Sequence, residues 1–225
     1  MTRPTQPLKY YVYISDTKLD MLAAGIPTTL RDRIVADLAL DLQVVKLSLR
    51  ERPSEETRYS KLRLVTKYID DKLGVGTVDE PRAYFRGSMS MRWGPYREVK
   101  GTSNELVFFG SETDRTIVGL GGSMAHVMGA VGASFAHTPM SSTPFMLRAL
   151  RGDLGLDSPL GHTRPDEVED TQARALREVV ITARRMPGPA EPLEFLARKL
   201  LAGSIAPDFP AVVLGTPIYV ARGDD

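Results

Sequence analysis

Four short groups of residues in this sequence have types and spacings that could do chemistry. The first is Gly119-Leu120-Gly121-Gly122-Ser123-Met124, a glycine-rich run behind an apolar segment. A turn of this composition after a strand can bring backbone N–H groups close to a phosphate, which makes Gly121, Gly122 and Ser123 candidate ligand contacts. The run departs from the nucleotide fingerprints. The dinucleotide motif needs a glycine where Met124 stands, and no Gly-Lys-Ser or Gly-Lys-Thr occurs to form a P-loop. The plain alternative is close packing in a crowded sheet. The second group is Ser15-Asp16-Thr17-Lys18, just past the first expected strand. Ligands of α/β sheets gather beyond the carboxyl ends of strands. There Asp16 could accept a ligand hydroxyl and Lys18 could meet an anion; otherwise Asp16 caps a helix and Lys18 is solvated.

The third group is the histidines, His126, His137 and His162. None has the i, i+4 spacing of a helical metal pair, and no cysteine is present to assist, so no metal site is expected. His126 is the one catalytic candidate, because imidazole titrates near neutrality. No Gly-x-Ser-x-Gly nucleophile elbow accompanies it, and a structural histidine is the competing reading. The fourth group is Arg86, Arg92, Trp93 and Arg97. Arg86 and Arg92 share a parity, so on one strand they face the same side and could bind an anion or stack a base. Otherwise they form a wet strand face with Trp93 anchored in the core.

Composition bounds what these groups can be part of. The chain has 225 residues, 42% apolar and 25% charged, with a formal net charge of +1. A chain of this length buries roughly 70% of its unfolded surface without staples. Balanced charge argues against a dedicated nucleic-acid binder. The absence of cysteine removes disulfides and thiolate chemistry, and fits a reducing, cytoplasmic setting. The first residues lack the apolar core of a signal peptide. The least polar stretch, 117–136, is too rich in glycine to read as a membrane span.

The elements that must position the candidates can be read from periodicity. Residues 1–8 read as a flexible tail and 9–222 as a single globular domain. Lys9 to Ile14 is aromatic and β-branched, hence a strand, and a short helix follows from Lys18 to Ala24. Leu30, Ile34 and Leu38 mark a second helix, and Val45, Leu47 and Leu49 alternate as a strand. Ser54, Glu55 and Glu56 open a helix whose stripe is Tyr59, Leu62, Val65, Ile69 and Leu73, closed by Gly74 in a left-handed cap. Residues 83–91 read as a strand stopped by Gly94-Pro95, and 106–109 with 116–118 read as a hairpin. Residues 119–136 fit a strand, a loop or a short helix, and 143–150 is weakly helical. Pro165 starts a long helix with Val168, Gln172, Ala175, Val179 and Ala183 along one side, widened by Leu176 and Val180. Leu193, Leu196 and Leu200 predict another helix, stopped by Gly203. The segment 211–220 is one bulged strand or two short ones. The expected class is α+β: a mixed, largely antiparallel sheet with helices packed on it.

The opening Lys9-Tyr10-Tyr11-Val12-Tyr13-Ile14-Ser15-Asp16-Thr17-Lys18-Leu19-Asp20-Met21-Leu22 resembles an uncharacterised family of actinobacterial proteins. The resemblance continues at Tyr84-Phe85-Arg86-Gly87, Met91-Arg92-Trp93-Gly94, Gly119 to Ser123, His126-Val127 and Leu214 to Ala221. It implies a bacterial cytoplasmic protein and supplies no catalytic residues. The leading functional expectation is a non-catalytic ligand-binding, regulatory or interaction module that meets a small anionic ligand or a protein partner. No cofactor, nucleic acid or membrane partner is expected. The alternative is an enzyme acting on a nucleotide-like or phosphorylated small molecule, with His126 as acid or base and the Gly121–Ser123 backbone holding phosphate. A structural subunit of an assembly is the third possibility.

Overall fold

The computed structural model describes residues 9–43, 57–96, 106–129 and 165–223. The chain forms two compact units, one from residues 15–75 and one from the remainder. The class is α+β, and the sheet is mixed and largely antiparallel.

The described residues hold seven strands, of which all but Val75 at the start of β2 lie in the larger unit: β1 (Tyr11–Ile14), β2 (Val75–Gly76), β3 (Tyr84–Tyr96), β4 (Leu106–Glu112), β5 (Thr116–Ser123), β6 (Glu191–Gly203) and β7 (Ala211–Arg222). Their order is β1-β7-β5-β4-β3-β2, and β6 pairs with both β3 and β7. The pairing β3-β4-β5-β7-β6 therefore returns to β3 and closes a small ring. Only β5 and β7 run parallel within it. Side chains alternate across the ring as strand geometry requires. Phe85, Met91, Val107, Phe109, Val118, Leu120, Leu193, Phe195, Val213 and Val220 form the cluster that all five strands share. A ring this narrow has room for side chains only.

Bulges make the tight curvature possible, because an extra residue bends a strand and increases its twist. Ile218 is the extra residue on β7, where the register steps from Leu196↔Tyr219 to Ala197↔Pro217. Leu200 is the extra residue on β6, between Lys199↔Gly215 and Leu201↔Leu214. The 211–220 segment is thus a single bulged strand. Gly94 and Pro95 do not stop β3, which pairs with β4 as far as Tyr96↔Leu106. The pairing of β3 with β6 ends at Met91↔Glu191, so Pro95 sits where only β4 is paired and its missing N–H is tolerated.

The predicted helix at Leu193, Leu196 and Leu200 is wrong: these residues lie on β6. Leu193, Phe195 and Ala197 point into the ring, and Leu196 between them is also buried. That extra apolar residue masks the two-residue period and imitates a helical one. Hydrogen bonding on both edges, to β3 and β7, overrides the helix preference of Leu, Ala, Lys and Arg.

One long helix covers an outer face of the ring. We label it α4, Pro165–Arg185. Leu176, Val179, Val180 and Ala183 pack on Leu106, Phe108, Ile117, Val212 and Leu214, as expected, whereas Gln172 of the expected stripe is exposed. The helix crosses β4 and β5 at Gly110 and Gly119, which are register partners. A Cβ on Gly110 would lie 2.7 Å from the Ala183 Cα, and one on Gly119 would lie 2.8 Å from a Val179 methyl. Bare backbone on both strands lets the helix come close.

The smaller unit is helical: α1 (Asp16–Gly25), α2 (Thr28–Gln43) and α3 (Arg58–Tyr68), followed by a π-helical turn at Ile69–Leu73. Ile26, Ile34 and Leu64 form its cluster, with Leu30, Leu38 and Tyr68 against them. Thr57 caps α3 by accepting from the Ser60 N–H at 3.2 Å. Ser54, Glu55 and Glu56, the expected start of this helix, lie outside the described residues, as do the strand at 45–49 and the helix at 143–150. Gly74 ends the π turn at φ 70°, the positive value expected for a glycine cap.

The glycine seat under α4 has a measurable consequence. Gly110→Ala should cost about 1–3 kcal/mol in urea unfolding, because the clash is with backbone and cannot be relieved by a rotamer change. Gly25→Ala, at the end of α1 with no atom within 4 Å of the new methyl, should be neutral or stabilising by up to about 1 kcal/mol. Equal effects at the two sites would show that close helix approach is not what Gly110 provides.

Candidate functional site

Within the larger unit, Arg86 and Arg92 are both exposed on β3, on the face opposite Phe85 and Met91. Shared parity holds, but six residues of extended strand separate them by about 20 Å. Arg86 is the register partner of Leu196 on β6, whereas Arg92 is the partner of Gly110 on β4. Trp93 points inward and stacks on Phe109, with centroids 5.6 Å apart. Arg97 lies outside the described residues.

The glycine run lies inside a strand. Gly121 and Gly122 are buried in β5, in register with Phe108 and Val107 of β4. A Cβ on Gly122 would overlap the phenol of Tyr13, so its bareness makes space for that ring. Ser123 ends the strand and its hydroxyl accepts from the Ala125 N–H at 3.3 Å, capping the 3-10 turn Met124–His126. His126 is partly buried and meets the Tyr13 ring edge-on at 5.9 Å. Tyr13 in turn packs edge-on against Phe109. His137 and His162 lie outside the described residues. Five-stranded Greek-key barrels that bind oligonucleotides do so across the face of their second and third strands. In this ring the outer face of β4 and β5 is under α4.

The smaller unit holds the two remaining candidates at the start of α1. Asp16 is the first helical residue, and its carboxylate binds the Arg58 guanidinium of α3 at 2.6 Å. Asp20, one turn on, pairs with Lys61 at 2.7 Å. Lys67 and Asp71 form a third pair at 3.2 Å. Exposed pairs of this kind contribute little each, yet two in succession fix which face of α1 meets α3.

Lys18 differs from these exposed cations. It is partly buried, and desolvation lowers its pKa to about 7 from the ordinary lysine value of 10.5. Its Nζ lies 3.2 Å from the Ser15 hydroxyl oxygen. Ser15 is fully buried and occupies the N-cap position of α1, but its side chain makes no capping bond to the helix. Lys18 is a sequence candidate, whereas Ser15 beside it carries no expected role. The available signal was the spacing: Ser-x-x-Lys at a helix start places both side chains on one face a turn apart. An amine near neutrality beside a hydroxyl can hold or release a proton, attract an anion, or act as a base toward that hydroxyl. Among the described residues no group of three or more His, Asp or Glu is arranged to hold a metal ion, and no helix is long and apolar enough to cross a membrane.

The titration of Lys18 sets a pH dependence. Below pH 7 the amine is protonated in both folded and unfolded chains, and the folded state bears the desolvation. Between about 7 and 10.5 the unfolded chain holds a proton that the folded chain has released, so stability rises with pH. Lys18→Met should flatten that rise when urea unfolding is compared with wild type at pH 7, 8 and 9. Parallel slopes for the two proteins would mean that Lys18 titrates normally.

Comparison with known proteins agrees with the resemblance to an uncharacterised family. The model of a family of unknown function, DUF7019, matches residues 9–224. No curated protein and no solved structure matches the chain.

Proposed function

The chain belongs to the DUF7019 family, and we propose that it is a ligand-binding or regulatory module of the bacterial cytoplasm that takes a small anionic ligand at the start of α1. The observation that carries the proposal is Lys18, desolvated in the first turn of α1 and held near its neutral point. A negative charge arriving there draws a proton back onto the amine, since an ion pair away from bulk water is strongly favoured over either charge alone. The amide dipoles of the first turn add to that attraction. Asp16 and Arg58 brace the turn from the α3 side. Arg86, Arg92, Gly121, Gly122, Ser123 and His126 belong to the larger unit and are left outside the proposed site. The cytoplasmic setting is supported by the lack of cysteine. An acidic side chain of a protein partner is a second occupant with the same chemistry.

The reading is tested by titrating the full chain with sulfate, which does not itself titrate in this range. At pH 8, in two buffers of different ionisation enthalpy, the calorimetric heats should differ by about one proton taken up per sulfate bound. Lys18→Gln should abolish that difference. Heats independent of buffer, or no binding in the wild type, would remove the proposal.

A further inference from the structure

We propose that the outer face of β3 and β6 binds single-stranded nucleic acid, with Tyr84 as the stacking platform and Arg82, Arg86 and Arg198 as the phosphate contacts. The sheet register brings these groups together. Tyr84 of β3 is the register partner of Arg198 on β6, so the two side chains stand on one face with Cβ atoms about 5 Å apart. Arg86 lies two residues further along β3, on the same face and about 7 Å from Tyr84. Phe85 between them is fully buried in the ring, which keeps its neighbours directed outward. Arg82 stands on the turn that leads into β3. Lys199 of β6 fixes that turn: its Nζ donates to the Pro81 carbonyl at 2.8 Å, and its backbone N–H donates to the Ala83 carbonyl at 2.9 Å.

All three arginines are exposed, and Tyr84 is half-buried. Among the described residues no carboxylate pairs with Arg82 or Arg198, and no ring stacks on Tyr84. Arg58, Arg115, Arg184 and Arg222, by contrast, are each paired with an acid. Of the acids nearest in sequence, Asp79 is held by Thr116 and Arg115 and Glu194 by Lys9, which leaves Glu80 as the opposing charge. A net charge of +1 over the whole chain argues against a dedicated nucleic-acid binder, but it does not describe this face, where positive charge is in local surplus. Guanidinium forks suit phosphate oxygens, and a phenol ring among them gives a base a surface to stack on. An acidic peptide would satisfy the arginines and gain nothing from the ring. Stacking of this kind needs no cavity and reads no base edge, so binding is tolerant of sequence and sensitive to salt. The face lies wholly in the larger unit and is independent of the anion reading at Lys18.

The experiment titrates the full chain into a fluorescein-labelled oligothymidylate of about 12 nucleotides and follows anisotropy at several salt concentrations. The logarithm of the affinity should fall against the logarithm of the salt concentration with a slope of about −2, the value for three phosphate contacts on a single strand. Arg198→Gln should make that slope shallower by about 0.7. Tyr84→Leu keeps the apolar bulk and removes the ring; it should weaken binding about 5- to 150-fold with the slope unchanged. Photocrosslinking of a bromodeoxyuridine-substituted strand, read by mass spectrometry, should place the adduct on Tyr84. No binding by the wild type at low salt, or an adduct outside β3 and β6, overturns the proposal, and both are read on wild-type protein without any variant having to fold. Tyr84→Leu binding as tightly as the wild type overturns it too. Displacement of the strand by polyglutamate of equal charge overturns it in favour of an acidic protein partner.

Discussion

The larger unit depends on the pairing of β7. That strand is hydrogen-bonded to β6 along one edge, while the other edge is shared between β5 and β1. Every residue from Val212 to Ala221 is buried. With water excluded from both faces, the polar backbone of β7 must find its partners in neighbouring strands. Three strands provide them, and the ring closes as a result. The Ile218 bulge follows from the same demand, because a flat strand could not serve neighbours on a curve this tight.

The interior of the ring is then fitted by contrasts of size. Tyr13 reaches in from β1 to the space left by Gly122, between Phe109 and His126. On the outside, Gly110 and Gly119 let α4 lie close to the strands. Large side chains and bare backbone are therefore two halves of one packing solution, since interiors of this density tolerate neither voids nor overlap. In that arrangement the glycine run serves volume, and its place within β5 explains why its composition alone looked like a phosphate loop.

Much of this was legible in the sequence. The α4 stripe, the β4–β5 hairpin, the Gly74 cap and the α+β class follow from local patterns that the tertiary structure reinforces. The pattern at β6 misled because Leu196 breaks the alternation, and only its two partner strands reveal its true state. The limit of β3 was misplaced because Pro95 forbids a bond only where a second neighbour would require one. At the candidate site, Lys18 was visible as a charge beyond a strand end. Its altered proton affinity was not, because desolvation is a property of surroundings that the primary structure does not spell out. The cap position belongs to Ser15 and not to Asp16, and the Ser15 side chain makes no capping bond.

The pairing of β1 with β7 also governs the order in which the protein can be made. Tyr11 faces Ala221, so about 200 residues must follow β1 from the ribosome before its partner strand exists. Until then Val12 and Tyr13, buried in the folded protein, lack their β7 neighbours. Losing the last dozen residues would therefore take from the first strand its only hydrogen-bonded strand neighbour among the described residues.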